Sequence, residues 1–196
     1  MSKTRLEAFS DGVFAIIITI MVLELHAPHG AELENLKPLL PTFLSYLLSF
    51  IYLAIYWSNH HHLLHATKQV NGTVLWANTH LLFWLSLFPF VTAWIGGTRG
   101  APWPTALYGA VFFMAAIAYF ILQNRIVALQ GKDSALKAAL GNDWKGKASP
   151  VFYLIAIGLA FLHPWLSNAL YIFVAALWVV PDRRLERLAE EVKKLK

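Results

Sequence analysis

Apolar residues in this chain gather into long runs separated by short polar connections. Six segments reach or approach the roughly 17–25 mostly apolar residues that carry a helix across a bilayer. They run from about Phe9 to Leu25, Pro41 to Leu64, Val74 to Trp94, Ala106 to Ala128, Pro150 to Leu162 and Trp165 to Val180. The last two are short, and His163-Pro164 marks the turn between them, because proline disfavours helix at the residue before it. The pattern predicts an all-α polytopic membrane protein with six transmembrane helices per subunit, residues 1–181. The tail, 182–196, differs in kind: Leu185, Leu188, Val192 and Leu195 form an a/d-type stripe on a charged background, as on a cytoplasmic amphipathic helix.

Composition agrees with the pattern. The 196 residues are 58% hydrophobic and 14% charged, with 8 Trp, against about 45–50% and 25% in a soluble domain. There is no cysteine, which excludes disulfides and thiolate chemistry. The net charge of +5 would fit a nucleic-acid partner in a soluble protein. Here it reads as cytoplasmic basic residues, so no nucleic acid is implied. With both termini cytoplasmic, only Lys37 and Arg99 of the 16 basic residues fall outside, and the connection after the first segment carries Glu24, Glu32 and Glu34. The first apolar run follows Glu7 and Asp11 and ends at Glu24 without a small-residue cleavage pattern, so it reads as a retained span. Asn71-Gly72-Thr73 matches a glycosylation sequon but falls on the inner side, where it has no such use.

The first segment, RLEAFSDGVFAIIITIMVLEL, carries polar groups in two places. At 100° per residue, Arg5, Phe9, Gly12, Thr19, Ile20 and Leu23 fall within about 60° of Ile16, whereas Ser10 and Asp11 lie more than about 100° away. The first face is apolar with one hydroxyl. It reads either as a lipid-facing or packing stripe, with Thr19 bonding back to the carbonyl of Ala15 or Ile16, or as a pore wall, where apolar rings close by dewetting and hydroxyls replace part of an ion's hydration. A carboxylate within a span is costly and faces other protein. At the depth of Asp11, the neighbouring spans hold Trp57, Asn59, His60, His61, His62 and His65, then Trp76, Asn78 and His80. This predicts a polar interhelical network around Asp11, with Arg5, His61 and Asn78 as its partners.

Five of the eight histidines lie between His60 and His80. His61 and His65 share a helical face, as in two-histidine zinc sites, but lack the neighbouring glutamate. Membrane di-iron oxygenases need several histidine boxes, and one is present. No nucleophile elbow, phosphate loop, dinucleotide fingerprint or TVGYG filter occurs. The chain therefore reads as neither an enzyme nor a pore-loop channel, with no metal and no cofactor.

Arg5 followed after three residues by Phe9-Ser10-Asp11-Gly12 resembles the RxxxFSDG signature of the transmembrane protein 175 family, the lysosomal and prokaryotic potassium channels. Tyr56-Trp57 with His61, Leu75-Trp76-Ala77-Asn78, Leu82-Phe83 and Pro89-Phe90 resemble that family's second and third spans. The single six-span unit is similar to the prokaryotic members. The resemblance implies a potassium-selective, leak-like channel in a prokaryotic plasma membrane, formed as a homotetramer in lipid, with the first helix of each subunit lining one central pore. It places the hydrophobic constriction at Ile16, with Thr19 and Leu23 one and two turns further on and potassium passing transiently near Thr19. It assigns Arg5, Phe9, Ser10, Asp11, Gly12, Trp57, His61 and Asn78 to a structural network, leaving open which of His60–His62 takes the histidine's place. The alternative is a proton-conducting or proton-coupled protein that uses the Asp11–histidine layer.

Overall fold

The computed structural model describes residues 2–131, 136–137 and 143–179. The tail stripe read from the sequence lies outside these residues. The described elements are α1 (Lys3–Leu23), a 3-10 helix (Leu33–Leu39), α2 (Leu40–His65), α3 (Gly72–Ser86), α4 (Phe88–Gly97), α5 (Pro102–Gln130), α6 (Trp144–Leu159) and α7 (Pro164–Val179). The all-α, membrane-embedded architecture expected from the sequence is the one found. Four stretches are long and apolar enough to cross a bilayer: α1, the 3-10 helix with α2, α3 with α4, and α5. Helices α6 and α7 have 16 residues each, about 24 Å at 1.5 Å per residue, slightly less than the hydrocarbon core.

Three boundaries differ from the sequence reading, each for a local reason. The third segment is two helices, because Pro89 has no N–H to give and its ring crowds the preceding turn. The chain breaks at Leu87 and resumes with the proline in the first turn of α4. Helix α6 starts at Trp144 rather than Pro150, because the Asp143 side chain caps it by accepting from the Gly146 N–H at 2.9 Å. The connection before α2 is partly helical. The sequon asparagine is likewise a cap: Asn71 accepts from the Val74 N–H at 3.0 Å and starts α3.

Lipid is as apolar as leucine, so helices here are held by close packing and by polar contacts between them. Both are visible. A Cβ on Gly96 would stand 2.7 Å from Thr42 Cα, so α4 and α2 meet backbone to backbone. Ala115, Ala118 and Ala156 are fully buried between α5 and its neighbours. Ser49 of α2 bonds Thr92 of α4 at 2.7 Å and Tyr108 of α5 at 2.8 Å. Tyr52 donates to the Tyr171 carbonyl at 2.6 Å, and Tyr171 to the Thr105 carbonyl at 3.1 Å. Around these bonds the rings of Tyr52, Tyr108 and Phe112 pack with centroids about 4 Å apart.

Exposed tryptophans mark two ends of the bundle. Trp103 and Trp165 stand at the starts of α5 and α7, and Trp76 and Trp144 at the starts of α3 and α6, as ring anchors at two membrane interfaces do. Helix α1 sits at one side, against α2, α3 and α4, while α6 and α7 pack on α5 and α2. The first helix therefore keeps a long face that its own subunit does not cover.

Candidate pore helix and its anchoring network

The buried residues of α1 are Leu6, Ser10, Phe14, Ile17 and Met21, one stripe at three- and four-residue spacing. Opposite this stripe lie Arg5, Gly12, Ile16, Thr19 and Leu23, all exposed. Ile16 is 59% and Leu23 70% exposed. The Thr19 hydroxyl donates to the Ala15 carbonyl at 2.8 Å. Its proton is thereby committed to the helix, and the oxygen keeps its lone pairs for a cation or water on the bare side.

The buried stripe is pinned by a chain of three hydrogen bonds whose direction is fixed from one end. Ser10 donates to the Leu6 carbonyl at 2.8 Å, so it can only accept from Asn78 Nδ2 at 3.0 Å. That turns Asn78 Oδ1 toward His60 Nε2 at 2.6 Å, and the proton must then sit on Nε2 of the ring. The side chains come from α1, α3 and α2, and all three are buried. The His60 ring also lies 5.8 Å from that of Phe14. In a medium without water each of these groups is costly to leave unpaired, so the chain specifies how α1 docks.

Asp11 belongs to a second, exposed arrangement. Trp57 Nε1 donates to its Oδ1 at 3.0 Å. The Trp57 ring stacks on His61 at 5.8 Å, and His61 on His65 at 6.1 Å. Lys3 ties this end down by donating to the His65 carbonyl at 2.9 Å and pairing with Glu7 at 3.7 Å.

The single network expected around Asp11 is thus two. Ser10 and Asn78 meet, but their histidine is His60, because His61 projects about 100° further round α2 and is exposed. Arg5 is not brought to Asp11: six positions apart on one helix, they diverge by about 120°. Within the subunit Phe9 and Gly12 also lie exposed, and no atom comes within 4 Å of where a Gly12 Cβ would be. The signal that singles out His60 was present in the sequence: Ser49, Tyr52, Tyr56, His60 and Leu63 recur every three or four residues and form the buried stripe of α2. The separation of the two arrangements carries a prediction. Asp11→Asn keeps an acceptor for Trp57 on an exposed face, so the apparent melting temperature of the purified protein should barely move, a change of about 1 kcal/mol or less. A large drop would show that the charge is structural.

A family model described as the endosomal/lysosomal potassium channel TMEM175 matches residues 5–89, the stretch that holds α1, α2, α3 and the start of α4. A potassium channel of Chryseobacterium sp. (strain P1-3) is 52% identical over 191 residues, 97% of this chain and all of that one. This chain belongs to the TMEM175 family.

The crystal structure of a lysosomal potassium-selective channel TMEM175 homolog from Chamaesiphon minutus superposes with a TM-score of 0.80 at 28% identity, covering 92% of this chain and 97% of that one. The endosomal/lysosomal proton channel TMEM175 of Gallus gallus is 40% identical over 81 residues, 35% of this chain and 16% of the animal protein. TMEM175 is a family of membrane channels and not of enzymes. Among the described residues no group of three or more His, Asp or Glu is placed to hold a metal ion. The FSDG residues divide accordingly in this TMEM175 chain: Ser10 turns into the subunit, Asp11 lies at its edge, and Phe9 and Gly12 turn away from it.

Proposed function

We propose that this chain is a potassium-selective, leak-like channel whose pore is built by the bare faces of α1 from four identical subunits. Four copies surround one axis, with Ile16 forming the apolar constriction, Thr19 the layer one turn beyond and Leu23 the layer after that. The observation that carries this reading is the face itself: a continuous exposed apolar stripe with one hydroxyl, opposite a stripe pinned into the subunit by Ser10. One subunit cannot enclose a path with a single helix, so the reading requires an oligomer. Potassium is the permeant species and no cofactor takes part. The bacterial relatives support a prokaryotic plasma membrane, and the charge distribution supports both termini being cytoplasmic.

Ile16 has no oxygen with which to coordinate an ion, so it can only block or narrow the path. Favourable contacts fall to the Thr19 oxygens and to backbone carbonyls, and preference for potassium over sodium is modest beside that of a full carbonyl filter. Thr19→Ala should therefore shift the bi-ionic reversal potential toward equal potassium and sodium permeability, with little effect on folding at this exposed site. An unchanged reversal potential would remove Thr19 from the selectivity layer.

The test of the whole reading is flux from potassium-loaded liposomes into a potassium-free bath. Potassium leaving through a channel makes the interior negative, and proton entry then requires an added proton ionophore. Acidification on ionophore addition, beyond that of protein-free liposomes, is the expected result, and none would refute the channel. The proton reading is favoured by one observation, the exposed Asp11–Trp57–His61–His65 column at the end of α1, and it predicts acidification with no proton ionophore once valinomycin carries the potassium, beyond that of protein-free liposomes.

A further inference from the structure

Away from α1, on the far side of the subunit, a cavity of about 50 Å³ lies between α2, α5, α6 and α7, room for about four waters. Its walls are mostly aromatic: Tyr52, Tyr56, Tyr119, Tyr153 and Trp178 line it. Among the described lining residues the one formal charge is Asp143, at the end where α6 begins. One Asp143 oxygen caps α6 through the Gly146 N–H, and among the described residues no cation pairs with the carboxylate. Two further polar groups face the cavity from nearly complete burial. Gln123 is 8% and Tyr56 9% exposed. Among the described residues neither the Gln123 amide nor the Tyr56 hydroxyl has a hydrogen-bond partner, although the neighbouring Tyr119 and Tyr52 hydroxyls donate to the Asn59 and Tyr171 carbonyls.

Neither group is sealed off, since the fully buried side-chain atom without a partner among the described residues is Thr105 Oγ1; both are open to the cavity, where an occupant can pair them. The electron-rich faces of tyrosine rings attract cations, most strongly where water is excluded, and the carboxylate at the mouth has the sign to admit one. Lys145 already holds an ammonium 6.0 Å from the Trp178 ring, tied to the Leu177 carbonyl. We propose that this cavity is a binding site for a small organic cation, a quaternary or primary ammonium of about the size of choline. Gln123 and Tyr56 bond the ligand's polar end, and Asp143 balances its charge. The site is one per subunit and separate from the pore.

The test uses the purified full-length protein in detergent and choline, with its neutral isostere 3,3-dimethylbutan-1-ol as comparison, read by saturation-transfer NMR of the ligand methyl signals. Choline should bind saturably and the isostere about tenfold more weakly. Asp143→Asn, which keeps the helix cap, should weaken choline by a similar factor, and Ala116→Phe, which fills the cavity, should abolish binding. Ile16→Asn should leave it unchanged. The proposal is overturned by absence of saturable binding, which would leave the cavity to water, by equal binding of the isostere, or by loss of binding in Ile16→Asn, which would place the ligand in the pore. The comparison of the two ligands on the unaltered protein decides the matter even where a cavity variant does not fold.

Discussion

Replacing Ile16 by asparagine should raise potassium flux by about tenfold, the effect of removing about 1.4 kcal/mol from the barrier. In the proposed tetramer four sec-butyl groups converge on the axis. Water leaves so narrow an apolar ring, and an ion that must cross it loses hydration and gains nothing in return. Asparagine has a similar length but brings a carbonyl and an amide, which keep the ring wet and give the ion a partner. The cost to the helix is small. Ile16 is exposed in the subunit and contributes nothing to its core, and the exchange lowers helix propensity by a few tenths of a kcal/mol. Ile16→Leu is the control: it keeps an apolar ring and should keep flux low. The measurement is the initial rate in the liposome assay, normalised to reconstituted protein. An Ile16→Asn protein that assembles and conducts as before would put the constriction elsewhere.

The face that carries this prediction was legible in the sequence because it needs only helical periodicity. Ile16, Thr19 and Leu23 fall on one stripe whatever the helix packs against. The anchoring network was harder, for a reason of angle. His60, His61 and His62 are successive residues, each about 100° from the last, so a shift of one position moves the ring from the core to the surface. The family motif fixes the neighbourhood but not that choice. The buried stripe of α2 through Ser49, Tyr52 and Tyr56 makes it, and that stripe shows only once tyrosines are allowed inside. Tyrosine in a membrane protein reads first as an interfacial anchor. Here five of them, Tyr52, Tyr56, Tyr108, Tyr153 and Tyr171, are buried. Of these, Tyr52 and Tyr171 give their hydroxyl protons to carbonyls on neighbouring helices, and Tyr108 is paired with Ser49. Asp11 misled in the opposite sense. A carboxylate in an apolar run suggests a buried hub, but its position one residue beyond Ser10 carries it round to the helix edge, where Trp57 donates to it. The kink at Pro89 and the cap at Asp143 were both present as residues. What the sequence lacked was a way to rank a cap seven residues upstream against a proline inside a helix.

Asn78→Leu should destabilise the subunit strongly. Leucine has the four side-chain heavy atoms and the branch point of asparagine, with bulkier methyl ends, so the space between α1, α2 and α3 stays filled while the polar link is lost. Two partners are stranded: His60 Nε2 keeps a proton with no acceptor, and Ser10 loses its incoming bond. Each stranded buried group costs about 1–3 kcal/mol, and water cannot repair the loss, since Ser10 is fully buried and His60 nearly so. Ser10 retains its bond to the Leu6 carbonyl, so most of the penalty falls on the histidine. Asn78→Leu should therefore lower the apparent melting temperature in detergent far more than Asp11→Asn and reduce the yield of assembled protein. A second change separates a specific hydrogen bond from general sensitivity at this position. His60→Phe removes the stranded proton and keeps a ring against Phe14, so the double variant His60→Phe, Asn78→Leu should be more stable than Asn78→Leu alone. Equal melting of the single and double variants would show that the three side chains do not act as one chain, and the docking of α1 would then rest on Leu6, Phe14, Ile17 and Met21.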